Sequence, residues 1–97
     1  IVGVGAVVVM DGGGAIADVR VGVTGTAAVA WRAAATEAAL QGQKPDLGVV
    51  AAAANMVDDG IDALDDLHGS AEYRRRVTRG LTQRAILEAA ARAQQSG

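Results

Sequence analysis

Four sets of residues in this chain have types and spacings that invite chemistry. Gly3-Val4-Gly5 opens like a dinucleotide fingerprint, and Gly12-Gly13-Gly14 could curl into a phosphate-binding nest of backbone N–H groups. Asp58, Asp59, Asp62, Asp65 and Asp66 gather enough carboxylate oxygens for a divalent cation. Arg74, Arg75, Arg76 and Arg79 form a basic run, and His68 is the single imidazole. Each set also has a plainer reading. The first glycines are followed by Val7-Val8-Val9, which continue a strand instead of opening a helix, so structural glycines are expected there. The triple glycine follows Asp11, and Asp-Gly with Gly-Gly is the signature of a tight hairpin turn. The aspartates lack the alternating ligands and central glycine of an EF-hand loop and read as a solvated acidic connector. The arginines lack the interleaved aromatics of a single-strand binder, and salt links to the acidic connector or to another subunit suit them better. Without cysteine or a second histidine, His68 has no partner for a zinc site or a thiol or serine triad. No catalytic, cofactor-binding or metal-binding residue is therefore expected in this chain.

The elements that would position such groups follow from periodicity. The 97 residues make one small domain, 1–97, with 51% hydrophobic residues and 21% charged, a balance that excludes intrinsic disorder. Trp31 and Tyr73 are the only aromatics, so the core must be built from small aliphatic side chains. Such a core buries little area per residue, and help from a neighbouring surface, or self-association, is expected. The net charge of −2 argues against nucleic acid as a partner. No apolar run is long enough to span a membrane, and no signal-like segment is present; a reduced cytoplasmic location is expected.

Residues 2–10 predict a strand with two apolar faces, Val4, Ala6, Val8 and Met10 on one and Gly3, Gly5, Val7 and Val9 on the other, as if covered on both sides. Residues 16–24 alternate, Ala17, Val19, Val21 and Val23 inward and Ile16, Asp18, Arg20 and Thr24 outward. A third short strand is expected over 28–31. Helices follow: an Ala-rich one over 33–41 ended by Gly42, and one capped by Asp46 with Leu47, Val50, Ala51, Ala54 and Val57 as its buried stripe and Gly60 as its end. The longest opens at Ser70, with Tyr73, Val77, Leu81, Ala85 and Ala89 as its inner stripe and a frayed end from Gln94. The expected fold is α+β: a three-stranded antiparallel sheet followed by three helices packed on it as a two-layer sandwich.

The stretch Asp66-Leu67-His68-Gly69-Ser70-Ala71-Glu72-Tyr73-Arg74-Arg75, with Leu81-Thr82-Gln83-Arg84-Ala85 behind it, carries a resemblance. It is similar to the C-terminal domain of the FAD-binding medium subunit of molybdenum hydroxylases, the group of carbon monoxide dehydrogenase and xanthine dehydrogenase. Residues 4–11, the run Ile16-Ala17-Asp18-Val19-Arg20-Val21, and Arg32 with Glu37-Ala38-Ala39-Leu40 and Gly42 resemble further segments of that domain in order. Ala28 and Trp31 depart from the family's pattern. The resemblance implies an electron-transfer flavoprotein whose FAD loops lie in two upstream domains. It implies as partners an iron–sulfur small subunit and a molybdopterin large subunit. The start in a strand at Ile1 is what a domain cut from a longer protein would show. His68, Tyr73 and Arg74 are then expected at a domain or subunit interface. The alternative is an independent scaffold or dimerisation module without redox role.

Overall fold

A computed structural model describes residues 3–24, 31–57 and 71–96, the side chains at 31, 71–75 and 96 excepted. β1 (Gly3–Met10) and β2 (Ile16–Thr24) form an antiparallel hairpin. Its turn is set by Asp11. One carboxylate oxygen, Oδ1, accepts the N–H groups of Gly13 at 2.8 Å and Ala15 at 3.0 Å, while Gly14 takes a φ of +86°, where a Cβ would be strained.

Val4, Ala6 and Val8 pair with Val23, Val21 and Val19 and carry the inner face. At the turn end the register shifts. Val9 faces Asp18 and Met10 faces Ile16, so Ala17 is an extra residue in β2. This bulge corrects the expected alternation: Ile16 turns inward and is buried, while Ala17 faces water.

The third strand is the main correction. Trp31–Arg32 (β3) is two residues long and pairs only with Val23 and Gly22. The sheet is thus in substance a two-stranded hairpin with an antiparallel stub at its end, and not the expected three-stranded sheet; the class remains α+β. Positions 28–30 of the expected strand lie outside the described residues. The stub stops because the chain turns at once into α1 (Ala34–Leu40), whose alanines and leucine favour helix and whose end is closed by Gly42 at φ +80°.

α2 (Leu47–Ala54) starts where expected, the Asp46 carboxylate accepting the Val49 N–H at 2.8 Å. It ends earlier than Gly60, in a turn over 55–57 that keeps Val57 buried. Leu47 stands 67% exposed at the first helical position and leaves the buried stripe, which Ala53 joins. α3 (Ala71–Ser96) runs through the segment read as frayed. It lies along β1 and packs on α2, while α1 packs on β2 and α2.

The inner stripe of α3 is also corrected. Ala89 is buried as expected, but the other buried positions are Thr78, Thr82, Ile86 and Ala90, one residue on from the Val77–Leu81–Ala85 series, which is only half-buried. Two threonines can line a core because the Thr82 hydroxyl is satisfied by donating to the Thr78 carbonyl at 2.7 Å. Thr36 in α1 does the same across elements, donating to the Ala53 carbonyl at 2.7 Å and tying α1 to α2. Around them Val19, Val21, Val23, Leu40, Val50 and Ile86 complete an aliphatic core.

Candidate functional site

Polar chemistry among the described residues concentrates along the far edge of β2. Below the β3 stub no strand continues, yet the edge is not bare. The Val21 carbonyl accepts the Ala33 N–H at 2.9 Å, and its N–H donates to Glu37 Oε2 at 2.8 Å. Further down, the Gln41 side-chain amide donates to the Ala17 carbonyl. At the end, Ile16 donates to the Gln43 carbonyl and accepts the Gly42 N–H, both at 2.9 Å. A helix and its terminal turn stand in for a strand, and this is why two residues of β3 suffice.

Glu37 is the centre of that edge. Its side chain is 14% exposed, and burial alone would raise its pKa. The Arg32 guanidinium, with Nη2 donating to Oε1 at 2.8 Å and Nε to Oε2 at 3.2 Å, and the Val21 N–H together outweigh this. The carboxylate is held below its ordinary range. Arg32 is 64% exposed, so the pair is a half-buried anchor and not a reactive dyad. Glu37 and Gln41 were not singled out as a site in the sequence; the signal was Arg32 and Glu37 bracketing a helix start, with Gln41 one turn later.

The expected interface residues His68, Tyr73 and Arg74 fall where the described structure gives no side chains. His68 lies outside the described residues, as do the connector aspartates and the Ser70 cap. Tyr73 and Arg74 fall on α3, but their side chains lie outside them too. Among the described residues no group of three or more His, Cys, Asp or Glu is placed to hold a metal ion. No described helix is long and apolar enough to cross a membrane. An open groove of about 490 Å³ lies between residues 6–10 of β1 and Ala89, Arg92 and Ala93 of α3, lined mainly by aliphatic groups.

Among known proteins, residues 1–89 match the CO dehydrogenase flavoprotein C-terminal domain. The chain belongs to that family. It is 34% identical over 87 residues to the nicotine 6-hydroxylase medium subunit of Paenarthrobacter nicotinovorans, covering 90% of this chain and 31% of that protein. Quinoline 2-oxidoreductase from Pseudomonas putida 86 superposes with a TM-score of 0.80 at 31% identity, over 91% of this chain and 30% of that one. Carbon monoxide dehydrogenase from Hydrogenophaga pseudoflava, in a form lacking the Mo-pyranopterin moiety of the molybdenum cofactor, gives 0.81 at 33% identity, over 94% and 31%. The resemblance read from the sequence is thus correct: this is a C-terminal domain of the FAD-binding medium subunit of molybdenum hydroxylases. The chain spans less than a third of each of these relatives.

The flavoprotein family implies FAD, and the two glycine segments of this domain can be tested against its pyrophosphate. Neither fits. In the Gly12–Gly14 turn the N–H groups of Gly13 and Ala15 are already taken by the Asp11 carboxylate, and that of Gly14 reaches the Asp11 carbonyl at 3.4 Å. An anion there would also meet the Asp11 charge. Gly3 and Gly5 lie inside β1, paired with Thr24 and Gly22, and open no helix.

Proposed function

We propose that this domain serves its subunit as a docking element, the FAD contacts being made by polypeptide upstream of it. The observation that carries this reading is the match of residues 1–89 to the C-terminal domain of a flavoprotein whose relatives are about three times as long as this chain. The occupied glycine turn supports it, because the most phosphate-like feature of the chain has spent its donors on Asp11. When bound in such a subunit, FAD supplies the electron-accepting chemistry. This chain contributes shape: an aliphatic core, a β2 edge closed by α1, and surfaces for packing.

The parent is an oxidoreductase of the molybdenum hydroxylase type, with an iron–sulfur small subunit and a molybdopterin large subunit as partners, in the cytoplasm. His68, Tyr73 and Arg74 sit at a domain or subunit boundary in that assembly. Nicotine, quinoline and carbon monoxide belong to the relatives' names and fix no substrate here. Titrating FAD into the isolated chain tests the reading. No one-to-one complex is expected; a tight complex with a shifted flavin spectrum overturns it.

A further inference from the structure

The helices build the core on the hairpin face that carries Val8, Val19, Val21 and Val23, and the other face is turned away from that core. On that face, Gly3, Gly5, Val7 and Val9 of β1 stand opposite Thr24, Gly22, Arg20 and Asp18 of β2. Val7 is 62% and Val9 50% exposed, against the expectation of a strand covered on both sides. Beside them Gly5 and Gly22 form a cross-strand pair, and a Cβ added to either would meet nothing within 4 Å. Open space at both positions means that no contact among the described residues requires glycine there. Glycine inside a strand weakens it, and it marks places where another backbone comes close. The β1 half of this face carries no polar side chain, whereas the β2 half carries Asp18, Arg20 and Thr24.

We infer that the valine and glycine face of the hairpin, with the Asp18–Arg20 ion pair at its rim, is the surface on which the remaining polypeptide of the same subunit packs. The inference rests on the docking role proposed above and names its surface. Size decides the occupant. The eight residues of this face span about 20 Å by 10 Å, roughly 200 Å². A free partner, including a second copy of this chain, needs about 800 Å² on each side for a stable complex. A segment of the same chain needs far less, because the covalent link holds it at an effective concentration near millimolar. The relatives have such polypeptide, more than two thirds of their length lying outside the match. The segment that covers the face is aliphatic and close-packing over Gly5 and Gly22, and offers a base near Asp18 and an acid near Arg20, which are 3.8 Å apart.

Hydroxyl-radical footprinting tests this on unsubstituted sequence. The 97-residue chain is measured alone and as the C-terminal third of the nicotine 6-hydroxylase medium subunit, with the Hydrogenophaga carbon monoxide dehydrogenase chain as a second host. Exposed Leu47 is the internal reference. In the isolated chain Val7 and Val9 oxidise as readily as Leu47, whatever the protein concentration. In a host that has taken up FAD they are protected at least tenfold relative to Leu47. Equal oxidation in an FAD-loaded host overturns the inference while leaving the family role intact. Protection that rises with concentration in the isolated chain overturns it in favour of a second copy. Failure of both hosts to take up FAD counts against the docking role itself.

Discussion

The Glu37 carboxylate meets the Val21 amide at 2.8 Å, a helix side chain standing where a third strand would have set its carbonyl. Truncating it leaves a β2 donor in a half-buried setting without its acceptor. E37A is expected to cost about 1–3 kcal/mol, because the unpaired donor has no access to a substitute. E37Q keeps an acceptor oxygen and loses less. R32A, at an exposed position, costs about 1 kcal/mol or less. Urea unfolding midpoints check the order, and R32A exceeding E37A would contradict it.

Acid should weaken the fold through two carboxyls. Asp11 is held below its ordinary pKa by the Ala15 and Gly13 N–H groups, and Glu37 by Arg32 and Val21 against the opposing effect of burial. Both bind protons more readily when unfolded, so their contribution is fully present above the unfolded values near 4 and disappears as pH falls through the folded ones. Stability measured by chemical denaturation should therefore be flat from about pH 6 to 5 with respect to these groups and fall below about pH 4. The double variant D11N/E37Q should show a shallower fall.

Two buried threonines should respond differently to loss of the hydroxyl. T36V removes the donor to the Ala53 carbonyl between α1 and α2, and a loss of about 1–2 kcal/mol is expected. T82V removes a bond to Thr78, whose carbonyl already serves the helix, so a change within about 0.5 kcal/mol is expected. Thermal melts of the two variants check the contrast.

The glycines separate in the same way. Gly42 holds φ +80°, and G42A should destabilise by about 1–2 kcal/mol. Gly80 lies exposed inside α3 with open space around it, so G80A should stabilise by about 1 kcal/mol. For a domain of this size that raises Tm by roughly 4–8 °C. A calorimetric scan showing no rise would mean that the backbone at Gly80 is already in contact.

The hairpin was legible because Asp11 and three glycines announce the turn and valines alternate on either side of it. The bulge was not, since one extra alanine changes no composition and only the pairing reveals it. That the expected third strand shrinks to Trp31–Arg32 was not legible for a related reason: Glu37 and Gln41 look like ordinary surface residues of an Ala-rich helix, and their role as strand substitutes exists only across the contact. On α3 the more hydrophobic series through Val77 and Leu81 outweighed the true one, because threonine reads as polar until its hydroxyl finds a carbonyl. The family was legible from segments distributed along the chain, while the interface placed on His68, Tyr73 and Arg74 rests on positions whose side chains lie outside the described structure.

Closure of β2 by α1 has a consequence for how copies of this domain can meet. Addition of strands to a two-edged ribbon can repeat without limit, the start of a fibre. Here one edge is sealed by a helix, so edge-on pairing through β1 would use up the one strand edge left open among the described residues and stop at two molecules. The domain tolerates a bare, uncharged outer strand because polymerisation along the sheet is blocked from behind.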